Sequence, residues 1–398
     1  RTGVQAARAA SLRVAASNGV LALDPDALER FGDCELLAFE GLDGLGASEL
    51  DLGEVVLLND APLEEVLAAA SGLVAAVPDT WAEAVRAGAR QRGIGPAACR
   101  ATEVRSDGVL GDTGRGRWLF GPAPFVYRRR VTTRWAAAEA HRLEVDGHLA
   151  LHLACDGELV ALLGVRARDH DAILAGVEAL RAAGLPDLAL LGDDPIGLHE
   201  LCADAYGLDL HRGPIAEQAA WLEALRSDGH SAALLVGRET GSLLSDEVDV
   251  VIGRSHGEHG RGPPGGHLLL HGTPLAALAE ALTAGRTGAR IAEQNLLLAS
   301  GFVQFGTLAS LFHWLPAPVV GRLGRWLGLL LLANAQRWTH DGPTRDRGPP
   351  RSPAPAADAE ARGHPRPSEV QQHAPVAWHA LDVRSEERRV GKECPSPC

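Results

Sequence analysis

The chain holds no methionine among its 398 residues, and only two tyrosines and seven phenylalanines. Aromatic residues make up 4% of it, so the core has to be built from Leu, Val and Ala. It begins at Arg1, and with no Met anywhere it reads as a fragment whose true N- and C-termini are lost. No signal peptide is visible at the N-terminus. The six cysteines (Cys34, Cys99, Cys155, Cys202, Cys394, Cys398) form no CxxC pair, which points to a reducing, cytoplasmic setting. Positive charge is short: 38 Lys and Arg against 51 Asp and Glu, a net charge of −13. That balance argues against nucleic acid or an anionic membrane surface as the main partner. What is present fits a folded protein. Hydrophobic content is 46% and the length allows two or three domains.

The stretch after Cys34 organises the rest. Leu36, Leu37, Ala38 and Phe39 read as a short buried strand, with Glu40 at its C-terminal end and Gly41, Gly44 and Gly46 in a tight turn. In open α/β sheets, ligands and chemistry sit at that end of a strand. Before it, residues 1–19 read as helix and 19–23 as an apolar run. Asp24 and Pro25 then read as the N-cap and first position of a second helix.

Residues 54–58 form another apolar run. From 61 to about 93 the spacing is helical, with Leu63, Val66 and Leu67, then Trp81, Val85 and Ala89. Between about 99 and 164 the pattern turns to strands, with Asp156 and Gly157 as a hairpin turn. This block reads as a cap inserted into the sheet. From 171 onward helices (173–183, 195–206, 214–228) alternate with strands (188–191, 232–236, 248–252). The strand at 188–191 ends in Gly192, Asp193 and Asp194. Such alternation indicates a parallel, helix-covered sheet.

Residues 254–266 read as a loop and 276–291 as a helix. No charged side chain falls within 295–315, a run long enough at ~1.5 Å per residue to cross a hydrocarbon layer of ~30 Å. A second apolar run, 319–338, is interrupted by Arg322 and Arg325. Together they read as a transmembrane hairpin, with a pair of buried core helices as the alternative. Beyond 339 the composition is that of a disordered segment. Residues 382–394 resemble translated sequencing-adapter read-through.

The order of parts resembles the second half of a P-type ATPase of the heavy-metal class, over roughly residues 10–338. Gly19 and Val20 through Ala27, Leu28, Glu29 and Arg30 resemble that family's G-V-L-I-K-x-x-x-A-L-E-R lead-in. Asp146, Gly147 and His148 on to Val165 resemble its D-G-E-L-V-G-x-I run. Arg286 to Ile291 with Gln294, Asn295 and Leu296 resembles the entry to its penultimate membrane helix, and Asn334 to Arg337 the end of its last. The resemblance implies an α/β fold: a haloacid-dehalogenase-like parallel sheet, an inserted α+β nucleotide-binding-like cap, then the membrane hairpin. The corresponding domains are 1–60 and 159–265 for the phosphorylation-like unit, 61–158 for the cap, 275–338 for the membrane helices and 339–398 for the tail. It also implies a cell-membrane location with residues 1–290 cytoplasmic. The implied partners are membrane lipid and the N-terminal membrane helices missing here, on the same or a partner chain. No nucleic acid is implied.

The catalytic motifs depart from the family. Its D-K-T-G-T-L-T reads Glu40, Gly41, Leu42, Asp43, Gly44, Leu45, Gly46, so Glu40 occupies the phospho-acceptor position. Its T-G-D reads Leu191, Gly192, Asp193, keeping Asp193. Its P-x-x-K reads Pro214 to Glu217, with Glu217 at the lysine position. Its G-D-G-x-N-D begins Gly237, Arg238, so Arg238 stands at a Mg²⁺-ligand position, while Asp249 survives downstream. The H-P pair of the nucleotide domain is absent near Val77, Pro78 and Asp79. Gly108, Gly111 and Gly121 are the remaining glycine-rich candidates for binding nucleotide.

Aspartyl-phosphate chemistry needs a positioned carboxylate, a Mg²⁺ and a cation for the developing charge. Glu40 moves the carboxylate by something like 1 Å, which alone can cost ~10²-fold. Each lost electrostatic partner costs ~3 kcal/mol. A unit that does not hydrolyse ATP, serving as scaffold or regulatory half of a transporter, is the expectation. An active cation transporter using Glu40, with Mg²⁺ and ATP as its cofactors, and a pseudogene product are the alternatives. Other clusters have plainer readings. His256, His259, His267 and His271 fit no known Zn²⁺ or Ni²⁺ spacing and read as a solvated loop, and no metal site is assigned. The run Arg128, Arg129, Arg130 reads as a solvated strand end. Glu40 with Asp43 is a possible paired-carboxylate site or two solvated acids.

Overall fold

In the computed structural model the chain opens with α1 (Thr2–Ser17), β1 (Val20–Ala22), α2 (Ala27–Asp33), β2 (Leu36–Glu40) and the short α3 (Gly41–Leu45). A cap follows: β3 (Leu50–Leu57), α4 (Leu63–Leu73), α5 (Thr80–Gln91), β4 (Cys99–Arg105), β5 (Gly108–Thr113), β6 (Gly116–Gly121), α6 (Ala123–Tyr127), α7 (Ala137–Val145), β7 (Leu149–Cys155) and β8 (Glu158–Ala167). The chain then returns through α8 (His170–Ala182), β9 (Asp187–Leu191), α9 (Leu198–Tyr206), β10 (Asp209–His211), α10 (Ile215–Ser227), β11 (Ala232–Val236), β12 (Val250–Ser255) and β13 (Leu268–His271). Two long helices, α11 (Ala276–Leu311) and α12 (Ala317–His340), end it. The structure describes residues 2–194, 196–237, 243–255, 265–271 and 275–340.

The main sheet has seven strands in the order β1-β13-β12-β11-β2-β9-β10. All neighbours run parallel except β1, which pairs antiparallel with β13. The period of two along β2 explains why it is covered on both sides. Leu37 and Phe39 pack into one core with Phe31, Leu180 and Leu282. Leu36 and Ala38 pack into a second with Leu222 of α10. After β2 the chain adds β9 and β10 on one side, then crosses back to add β11, β12 and β13 on the other. The order therefore reverses at β2, which makes its C-terminal end the topological switch point.

The second sheet is antiparallel, in the order β3-β8-β7-β6-β5-β4. Alternation again gives two faces. Leu151, Leu153 and Phe120 meet Leu67, Trp81 and Val85 of α4 and α5. Ala150, Ala154 and Leu119 meet Phe125, Val126 and Leu143 of α6 and α7. The sequence reading expected 54–58 to accompany the first unit. Instead β3 pairs with β8, so both strands of the cap's attachment lie in its own sheet. Arg168, just past β8, clamps that attachment through ion pairs to Glu49 (2.6 Å) and Asp51 (3.0 Å).

One local expectation needs correction. Asp24 is not the N-cap of α2. It accepts the Asp26 N–H at 3.0 Å and pairs with Arg30, so the helix begins at Ala27. A second expectation, the transmembrane hairpin at 275–338, is met only as a helical hairpin. The helical hairpin is there, but no helix among the described residues is long and apolar enough to cross a membrane. Its first half carries Glu280, Arg286, Arg290 and Glu293, the uncharged part is broken by Ser300, Gly301, Gln304, Gly306, Thr307 and Ser310, and α12 carries Arg322 and Arg325. The buried Asn295 ties the hairpin to the first helix. It donates to the Gly3 carbonyl (3.1 Å) and the Leu331 carbonyl (3.3 Å), and accepts from Asn334 (3.0 Å). The segment from 341 onward lies outside the described residues.

Candidate functional site

Glu40 is the last residue of β2, so its side chain emerges where the parallel strands end. A cavity of about 290 Å³ opens there, lined by Glu40, Gly41, Leu42, Asp43, Ser48, Thr80 and His199. Thr80 comes from α5, so the cap supplies part of the wall. The turn that carries Asp43 sits close on β11. A Cβ on Gly44 would overlap the Leu235 carbonyl, and one on Gly237 would overlap Asp43.

Sequence reading singles out Asp193, but the structure makes its neighbour Asp194 the half-buried, hydrogen-bonded carboxylate. Asp193 is exposed and accepts only the Asp194 N–H at 3.0 Å. Asp194 accepts the N–H groups of Ile196 (3.0 Å), Leu198 (2.9 Å) and His199 (2.7 Å), and so satisfies the first turn of α9. Its Oδ2 also lies 2.6 Å from His199 Nδ1. Burial pushes the Asp194 carboxyl up, but the hydrogen bonds from His199 and the backbone outweigh it and hold the pKa at about 2. An ionised Asp194 accepts only, so His199 Nδ1 carries a proton and a neutral ring has its acceptor at Nε2. The Nε2 atom faces Gly192 and Gly41. The sequence signal for this pair was a second acid after the Gly-Asp of a strand end, with a histidine five residues on.

The other expected positions do not all converge. Glu217 is exposed in the first turn of α10 and does not line the cavity. Arg238 lies outside the described residues. Asp249 stands at the other end of the sheet, where its Oδ2 accepts the N–H of Ala232, the first residue of β11, at 3.1 Å. Packing accounts for the three cap glycines. A Cβ on Gly108 or Gly121 would press on Phe125, and one on Gly111 on Leu73 and Cys99. His267 Nδ1 accepts the Val251 N–H at 3.0 Å, and His271 ends β13 exposed. His256 and His259 lie outside the described residues. Arg128 pairs with Asp107, and Arg129 lies over the Phe125 ring and pairs with Glu103.

The crystal structure of a zinc-transporting PIB-type ATPase in the E2.Pi state superposes with a TM-score of 0.63 at 17% identity, over 84% of this chain and 55% of that one. The copper-transporting ATPase 2 of Rhizobium meliloti (strain 1021) is 23% identical over 251 residues, 60% of this chain and 29% of its own length. The silver exporting P-type ATPase of Salmonella typhimurium is 24% identical over 60% of this chain and 30% of its own. The chain is related to the heavy-metal P-type ATPases. Its fold is the α/β catalytic fold of those ATPases, a haloacid-dehalogenase-like sheet with a nucleotide-binding-domain-like cap. It spans about a third of the length of these curated relatives. No family model matches it.

Kinship with P-type ATPases implies Mg²⁺ and ATP, and the described residues at this cavity do not by themselves make up a site for either. Among the described residues no group of three His, Cys, Asp or Glu side chains is placed to hold a metal ion. Among the described residues no Lys or Arg lines the cavity to meet a phosphate, and both carboxylates in it would repel one.

Proposed function

We propose that this chain is the catalytic-fold part of a heavy-metal transporter of the P-type ATPase kind, and that it does not turn over ATP. Its role is then that of a scaffold or regulatory half. One observation carries this reading. The cavity at the switch point presents Glu40, Asp43 and His199 together, with no Lys or Arg among its described lining residues. Phosphoryl transfer is mostly positioning and charge neutralisation, and such a wall neutralises nothing.

A membrane setting belongs to the same proposal. Leu296, Leu297, Phe305, Trp314, Trp326 and Leu330 are large apolar side chains exposed on α11 and α12. A groove of about 570 Å³ runs between these helices, lined by Leu297, Leu298, Leu327, Leu330 and Leu331 with Gln294 and Asn334. Exposed apolar area on this scale supports a lipid environment and further helices, on the same or a partner chain, packed into the groove. Residues 1–290 then lie on the cytoplasmic side.

Incubation of the full chain with γ-labelled ATP and Mg²⁺ tests the central statement. The expected result is no acid-stable, hydroxylamine-labile label. Label that is lost in Glu40→Gln would establish the alternative, an active transporter using Glu40.

A further inference from the structure

Arg254 lies in β12, and its side chain turns beneath α3. It is 5% exposed. Its Nη2 donates to the carbonyls of Gly44 (3.2 Å) and Leu45 (3.4 Å), the last two residues of α3. Among the described residues its buried Nε finds no hydrogen-bond partner. Among the described residues no carboxylate lies within ion-pair distance of it. A buried guanidinium without a contact ion pair is unfavourable unless the local field is negative.

The field here is negative, and it comes from the turn that carries the cavity. Asp43 in α3 contributes the most negative charge at Arg254 and Asp169 the next most, and the carbonyl end of α3, whose Gly44 and Leu45 oxygens Arg254 Nη2 binds, adds to it. Burial pulls the Arg254 pKa down to about 10 while both carboxylates push it up, so the side chain stays charged at neutral pH. The turn is shaped around it. Gly46 adopts φ +84°, and a Cβ there would stand 2.8 Å from Nη1 and 3.0 Å from Cζ. Only glycine satisfies both demands at once.

We propose that Arg254 is a built-in cation for this site. Its guanidinium supplies the positive charge that the Asp43 turn requires, in the place of an exchangeable divalent ion. The carboxylate-bearing turn is then held in shape without metal. This inference rests on the reading of the cavity as non-hydrolysing, and it adds what holds that cavity together.

Two measurements on the full chain in detergent test it. In the first, Mn²⁺ is titrated and free Mn²⁺ is followed by electron paramagnetic resonance. The expected result is no stoichiometric binding at millimolar Mn²⁺. One bound ion, lost in Glu40→Gln or Asp43→Asn, overturns the proposal. In the second, Arg254→Lys keeps the charge and Arg254→Gln keeps donors without it. The lysine variant is expected to melt higher, and the gap is expected to close in the Asp43→Asn background. A glutamine variant that melts as high as lysine, or an unchanged gap, overturns it. Bound Mn²⁺ without acyl phosphate sinks this inference alone, whereas acyl phosphate sinks the functional reading beneath it.

Discussion

Asp194 Oδ2 and His199 Nδ1 lie 2.6 Å apart at the end of β9, with the carboxylate also closing the first turn of α9. A native pKa of about 2 against an ordinary value of 3.8 corresponds to about 2 kcal/mol of stability. The sign follows from which state protonates first. As pH falls the unfolded chain takes up the proton first, so the contribution is full above pH 4 and is lost as pH drops towards 2. Asp194→Asn should cost about 2 kcal/mol in urea unfolding at pH 7. The deficit should shrink below pH 4. Equal midpoints at pH 7 would refute the assignment.

His152 offers a second, opposite titration. It is buried in β7, and burial drives its pKa down to about 4, with only the Ala150 carbonyl at 3.1 Å supporting charge. The native state therefore keeps it neutral while the unfolded chain protonates near 6.5. Stability from this residue is full above pH 6.5 and declines as pH falls to 4. Between pH 7.5 and 5 the decline should be about 2 kcal/mol. His152→Leu should flatten that part of the profile, measured as unfolding midpoint against pH.

Arg286 joins α11 to the base of the main sheet. It donates to the carbonyls of Gly32 (2.7 Å), Ala183 (2.6 Å) and Cys34 (3.4 Å). These close the turns before β2 and before β9. Arg286→Leu leaves three carbonyls without their donor and should cost about 3 kcal/mol. Lysine has no fork to span three acceptors, so Arg286→Lys should recover less than half of it. Chemical denaturation of both variants decides the matter.

The same crossing depends on small residues. A Cβ on Gly285 would overlap the Leu28 carbonyl, and one on Gly32 would stand 2.9 Å from the Arg286 nitrogen. Backbone atoms on both sides leave nothing flexible to give way. Gly285→Ala should destabilise by about 2 kcal/mol despite the better helix propensity of alanine. A variant as stable as the parent would show that the two helices can separate without loss.

Much of the fold was legible because burial imposes a period. The apolar run at 36–39 ending in Glu40, the strands at 188–191 and 232–236, and the hairpin at Asp156 and Gly157 all stand where the pattern puts them. Less legible were elements whose partners lie far off in sequence. The edge strand β1 pairs with β13 across some 250 residues. The helix α7 sits within a block that otherwise reads as strands. At the site, Glu40 and Asp43 were legible from position alone. His199, Thr80 and Arg254 were not, because each reaches the turn from a different element.

The sequence by itself determined the two-faced strands, the helix-strand rhythm and the identity of the acids at the end of β2, because these depend on neighbours along the chain. Tertiary structure decided which carboxylate caps α9, which histidine it orients and which guanidinium binds the end of α3. Those outcomes depend on the distance between the ends of separate strands, and that distance is set only when the sheet closes in its final order.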